Sequence, residues 1–193
     1  MPKAQEYHMI KTKKDLQEYL DADKRALGRT GKRPRFDDVI WKYEILLRKC
    51  EYYGNTGGLL NKILGSYYRY RRFKLGLLCG FGIRPNTCGK GLCLAHVGPI
   101  IINGKAQIGE YCKIHVGVNI GADARKRGEF PVIGNHVYIA PGAKIFGNIT
   151  IGDYVAIGAN AVVNKSFPMS NVTIAGIPAK IINEKGVEDI LHT

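Results

Sequence analysis

The pattern of apolar and polar positions changes period near residue 80. Before it, apolar residues recur every three or four positions, the spacing of one face of a helix. Thr12 with Asp15 three residues on forms a capping-box pattern, followed by Leu16, Tyr19, Leu20 and Leu27 and a stop at Gly28. A second helix is predicted from near Asp37 to near Gly54, with Val39, Ile40, Tyr43, Leu46, Leu47 and Cys50 on one stripe. A third covers Leu59 to Leu78 and contains the run SYYRYRRFKLGLL. Its mixture of Tyr and Arg suits an amphipathic helix packed on the rest of the chain, with Arg and Lys reaching out to water. The less favoured alternative is a face that stacks on a ligand or lies against lipid headgroups.

From residue 100 the period becomes six. Ile102, Ile108, Ile114 and Ile120 are spaced by six, and so are Ile133, Ile139, Ile145, Ile151, Ile157 and Val163. Glycine follows several of these teeth (Gly109, Gly121, Gly134, Gly152, Gly158), and a small or short residue comes four positions after a tooth, as at Cys112, Ala124, Ala143, Val155 and Ala161. Neither a helix nor a hairpin sheet produces a period of six. A short strand and a tight turn every six residues make one side of a triangular prism, and three sides make a coil of eighteen. The aliphatic tooth then points inward, and stacked coils share one continuous interior column at a spacing of about 4.8 Å. The expected fold is mainly β: a left-handed parallel β-helix of hexapeptide repeats over 81–182, preceded by a helical region over 1–80 and followed by a tail over 183–193.

Two places break the comb. Between Ile120 and Ile133 the gap is thirteen, so GADARKRGEFPV is expected to leave the prism as an external loop over 121–132, carrying Arg125, Lys126 and Arg127. Extended backward, the comb puts His96 in the slot below Ile102, where an inward imidazole would lose its hydrogen bonds at a cost of about 1–3 kcal/mol. Gly98-Pro99 offers a means for the register to slip and turn His96 outward. His115 follows the tooth Ile114 and is expected on the outer surface. Because 96 and 114 differ by eighteen, the two histidines are expected one coil apart on the same side. A pair of imidazoles on an exterior face makes a plausible general-base site, since imidazole titrates near neutral pH. His136 reads as an ordinary corner residue.

The net charge is +13, with 18 Lys/Arg against 9 Asp/Glu in residues 1–80. Such a surface suits an anionic partner: the phosphates of a nucleotide cofactor, a pyrophosphate-linked glycolipid, or a membrane surface touched peripherally by the basic N-terminal region. No helix-turn-helix, zinc-finger or RNA-binding signature supports nucleic acid. No apolar run reaches membrane-spanning length and the first residues carry no secretory pattern, so a cytoplasmic setting is expected. Cys50, Cys79, Cys88, Cys93 and Cys112 form no C-x-x-C pair or zinc spacing, and read as reduced, buried thiols.

The segments GKGLCLAHVGPIIINGKAQIGEYCKIHVGVNIG, PVIGNHVYIAPGAKIFGNITIGDYVAIGANAVVNKSFP and AGIPAKII resemble the serine acetyltransferase-like branch of the hexapeptide acyltransferases. More narrowly, they are similar to the O-acetyltransferases of bacterial polysaccharide and capsule clusters. The strong likeness covers Gly80 to Ile182. It implies a homotrimer of parallel prisms with active sites in the clefts between neighbours, and acetyl-CoA as co-substrate with no metal. By motif, Ala140, Gly158 and Ala159 match the positions along the pantetheine arm. Lys165 and Lys180 match the basic positions near the nucleotide phosphates. His96 matches the catalytic base, with His115 a second candidate. Three departures are informative: Ala95 stands where true serine acetyltransferases carry an acidic residue, Phe130 where they carry a second histidine, and Gly82 at a further acidic place. Loss of groups that would orient the base and recognise an amino acid favours a sugar or polysaccharide-precursor hydroxyl as acceptor. Serine acetylation is the alternative. A metal hydratase using His96, His115 and His136 and a non-enzymatic β-helical scaffold are weaker readings.

Overall fold

The computed structural model describes residues 9–125, 128–188 and 190. Its first elements are three helices: α1 (Lys13–Ala26), α2 (Val39–Asn55) and α3 (Leu59–Cys79). The capping box predicted from Thr12 and Asp15 forms in full, each side chain accepting from the other's backbone N–H. Asp38 caps α2 by accepting from the Trp41 N–H. α3 buries only a narrow stripe, centred on Gly65, Gly76 and Cys79. At Gly76 a Cβ would stand 2.8 Å from the Phe81 carbonyl oxygen, so the absence of a side chain lets α3 pass close to the strand that follows it.

Among the described residues, fourteen short strands then wind into three flat faces. The first face holds β1 (Phe81–Ile83), β3 (Ile100–Ile102), β6 (Asn119–Gly121), β9 (Lys144–Phe146) and β12 (Val162–Val163). The second holds β4 (Gln107–Ile108), β7 (Val132–Ile133) and β10 (Thr150–Ile151). The third holds β2 (Cys93–Leu94), β5 (Lys113–Ile114), β8 (Tyr138–Ile139), β11 (Ala156–Ile157), β13 (Thr173–Gly176) and β14 (Ala179–Asn183). Every strand pair is parallel except β13 with β14, which runs antiparallel. This is a three-sided parallel β-helix, as the six-residue comb predicts.

All ten teeth are buried. With Ile83, Leu94 and Ile174 added at the ends, they stack as Ile83, Ile102, Ile120, Ile145 and Val163 on the first face, and as Leu94, Ile114, Ile139, Ile157 and Ile174 on the third. The second column, Ile108, Ile133 and Ile151, is extended at its ends by isolated bridges to Cys88 and Phe167. Partners are eighteen residues apart in the regular coils (Ile133 and Ile151) and twenty-five apart across the loop (Ile120 and Ile145).

The first coil corrects one detail of the comb. Leu94, not His96, fills the inward slot, and it pairs with Ile114 twenty residues on. Two surplus residues fall between Leu94 and Ile102, and His96 is exposed. The slip expected at Gly98-Pro99 therefore exists, and the backbone it produces requires glycine at 98. Gly98 has φ 143°, and a Cβ there would run into the Val116 side chain.

The helices close the first coil through buried charges. The fully buried Arg48 donates to Asp23 (2.7 and 3.2 Å), Glu51 (3.0 Å), and the carbonyls of Cys88 (2.8 Å) and Gly89 (2.6 Å). Asp23, Glu44 and Glu51 in turn accept from the N–H groups of Leu92, Leu94 and Asn86. Burial, with the charge of Asp23 beside it, pushes the Glu44 carboxyl well above the usual carboxylate range.

The five thiols are free; Cys93 is half-buried and the others are buried. Burial holds the thiols of Cys88 and Cys112 up to about 12, which leaves them inert. His136 is a corner residue as expected. It lies between the second and third faces at φ 54°, its ring stacked between those of Tyr111 (5.3 Å) and Tyr154 (4.6 Å).

Candidate functional site

In β2, β5, β8, β11 and β13 of the third face, an inward tooth is followed by a residue on the edge of the face, at the corner toward the first face. Those residues are Ala95, His115, Ala140, Gly158 and Ala175. Backbone bonds set them one above the next. The N–H groups of Ala95, His115, Ala140 and Gly158 donate to the carbonyls of Ile114, Ile139, Ile157 and Ile174, at 3.0, 3.0, 2.9 and 2.8 Å. The upper part of this corner is a track of very small side chains. A Cβ on Gly158 would come within 2.8 Å of the Ala175 Cβ, so glycine keeps the track shallow. Ala175 pairs in register with Lys180 of β14, which puts an exposed ammonium at the far end.

The two histidines stand at the other end. Their ring centroids are 5.7 Å apart with planes at 56°. His115 also meets the ring of Tyr138 edge-on at 5.0 Å. His96 is exposed, whereas the Nε2 of His115 is buried with no hydrogen-bond partner among the described residues. Burial first, then the charges of Lys113 and His96, lower the His115 pKa. His115 is therefore a neutral imidazole at neutral pH, with a buried nitrogen still free to take or give a hydrogen bond. An exposed imidazole beside it, at the mouth of a shallow track, can remove a proton from a group delivered along that track.

Of the residues expected to line a cofactor site, Ala140, Gly158 and Lys180 lie along this corner, and the exposed Ala159 is next to it. Lys165 does not. It follows β12 at the corner between the first and second faces, with its Nζ 5.4 Å above the Phe167 ring. The loop expected over 121–132 leaves the prism at that same other corner, between β6 and β7. Within it Arg125 pairs with Asp123 at 3.4 Å, and Phe130 lies under the Lys105 ammonium at 5.4 Å. Lys126 and Arg127 fall outside the described residues. A single prism thus keeps its loop and its histidine pair on different corners.

Tyr138 and Ala175 were not singled out from the sequence. Tyr138 stacks on Lys113 only at the twenty-five-residue spacing that the loop creates, and Ala175 sits seventeen residues after Gly158, so neither falls on an eighteen-residue template. Among the described residues no group of three His, Cys, Asp or Glu gathers as a metal site. His136 lies on yet another corner from His96 and His115.

Residues 130–165 match the family described as bacterial transferase hexapeptide (six repeats). A crystal structure of serine acetyltransferase in complex with coenzyme A from Brucella abortus strain S19 superposes with a TM-score of 0.71 and 30% identity, covering 90% of this chain and 70% of that one. The chain belongs to the hexapeptide-repeat transferases. Serine acetyltransferase of Synechococcus elongatus is 39% identical over 113 residues, 58% of this chain and 46% of the relative. That of Staphylococcus aureus strain Mu50 is 42% identical over 110 residues, 56% and 51% respectively. The matched stretch spans about half the length of these curated relatives. All three carry the serine acetyltransferase name, and none of the three is named for polysaccharide acetylation.

Proposed function

We propose that the chain is an acetyl-CoA-dependent O-acetyltransferase in which His96 acts as general base. The observation that carries this reading is the shared corner: an exposed imidazole at one end, a track of Ala140, Gly158 and Ala175 above it, and Lys180 at the far end. Small side chains let an extended pantetheine arm lie against backbone groups, and an ammonium suits the phosphates of its nucleotide. His96 takes the proton of the acceptor hydroxyl as that oxygen bonds to the thioester carbonyl carbon. The C–S bond then breaks, and His96 returns the proton to the departing thiolate. His115, neutral and 5.7 Å away, serves as a second imidazole that steers the acceptor or the base.

The relatives support serine as the acceptor. A second reading, a sugar hydroxyl on a polysaccharide precursor, rests on Gly82, Ala95 and Phe130. These leave the site without the acidic and imidazole groups that would grip an amino acid. The separation of corners supports a homotrimer of left-handed prisms: the 121–132 loop and Lys165 of one prism would then face the His96 corner of its neighbour, completing the site. A cytoplasmic location fits a soluble acetyl-CoA donor.

His96→Ala is expected to lower CoA-thiol release by about 10²–10⁴-fold while calorimetric CoA binding stays unchanged. A fully active variant overturns the assignment. The same thiol-release assay, run with serine against a panel of nucleotide sugars and glycolipids, separates the two acceptors.

A further inference from the structure

Helix α3 carries two faces, and only one is used. Its buried positions, Gly65, Gly76 and Cys79 with the half-buried Leu64, Tyr68, Arg72 and Leu75, turn toward α2 and β1. Leu59, Leu60, Ile63, Tyr67, Tyr70, Phe73, Leu77 and Leu78 are all exposed, from 49% at Tyr67 to 80% at Leu78. At 3.6 residues per turn these eight fall within an arc of about 140°, nearly opposite the buried stripe. Isolated surface hydrophobics are ordinary, but eight on one side of a single helix form a continuous patch. The margins of that patch are basic: Lys62 and Arg69 on one side and Arg71 on the other, with Lys74 inside it, and α3 contains no acidic residue.

The neighbouring surface continues the theme. A groove of about 950 Å³ opens between α2 and α3, with Lys42, Lys49, Arg71 and Lys74 over the apolar Leu46 and Leu75. No acidic residue lines it among the described residues. Lys49, Arg71 and Lys74 lie 5.0–5.7 Å from the ring centroids of Tyr68, Tyr67 and Tyr70. Cations held on tyrosine rings at the edge of an apolar face are suited to the depth where headgroups meet acyl chains. Among the described residues no helix is long and apolar enough to cross a membrane.

We infer that the outward face of α3 seats the protein on an anionic phospholipid surface, its apolar stripe entering the acyl boundary and its basic margins meeting the phosphates. Charge selects this occupant over a second copy of the chain. Two such faces laid together would bring four like-charged margins into contact with no acid to offset them, whereas an anionic bilayer neutralises them. The inference does not depend on the chemistry at His96.

The test is co-sedimentation of the full chain with vesicles of phosphatidylcholine alone and with vesicles of equal parts phosphatidylcholine and phosphatidylglycerol. Binding is expected to the second only, and to weaken as sodium chloride is raised. Two variants probe the two components: Leu60→Ser with Phe73→Ser and Leu77→Ser, and Arg69→Glu with Lys74→Glu. Each should lose about tenfold or more in partition to the anionic vesicles, with thermal unfolding and CoA-thiol release unchanged. The charge variant keeps the test decisive should the apolar one fail to fold. Equal binding to both vesicle types, or undiminished binding by the variants, overturns the inference. So does a lipid-free sedimentation experiment in which the apolar variant falls to a smaller assembly while the parent ignores vesicles. That result would assign the stripe to contact between copies.

Discussion

The prism and the helical cap beside it bury their interiors by opposite means. In the prism, one kind of residue recurs in one kind of slot. Ile102, Ile120 and Ile145 meet no polar atom that must be matched, and each coil repeats the solution of the last. At the joint between helices and first coil nothing repeats. Arg48 alone satisfies two carboxylates and two carbonyls, and three acids each hold one particular backbone N–H of the first coil. A column of isoleucines tolerates small errors in any one member, whereas an ionic cluster out of water depends on every member being present.

Substitutions can break that contrast in order of size. Arg48→Met should cost about 3–5 kcal/mol, because it strands Asp23 and Glu51 as buried carboxylates. Denaturant unfolding measures it, and a loss no greater than that of a column mutant would erase the distinction. Glu44→Gln comes next and tests the same joint through pH. The folded state holds the Glu44 proton more tightly than the unfolded chain does. The wild type therefore loses stability as pH rises above the ordinary value of 4.5, up to the raised folded value. Glutamine keeps the acceptor for the Leu94 N–H without a proton to lose. Thermal melts should accordingly show the variant gaining on wild type as pH climbs through that window, and parallel curves would argue against a protonated Glu44. The smallest effect belongs to Ile139→Val in the middle of the third column. A single buried methyl should cost about 0.5–1.5 kcal/mol and leave the unfolding cooperative.

The same contrast explains what the sequence discloses. A repeated slot is legible because it is repeated, so all ten teeth and the excursion after Gly121 can be read from spacing alone. The histidine pair is legible only in part. His96 stands out by failing the comb, but the true tooth at Leu94 is hidden by two surplus residues that no period announces. Tyr138 reaches His115 only because seven loop residues displace the eighteen-residue repeat, a displacement visible once the strands are paired. The Arg48 cluster is not legible at all. Its partners lie 25 residues back at Asp23 and 40 ahead at Cys88, and a charged residue on a helix ordinarily faces water. Spacing does place the loop after Ile120 and Lys165 after Val163 at a different corner from His115, because successive teeth fall on successive faces.

The reversal of β14 bears on how the solenoid ends. A stack of parallel coils has no internal reason to stop, since each coil offers the next a ready row of unpaired backbone groups, and another chain's coil could dock there as well as its own. At the third face the last row belongs to a strand running the other way. An incoming coil of the same sense could meet β14 only as an antiparallel neighbour, so along that face the reversal interrupts the parallel pattern by which one coil templates the next.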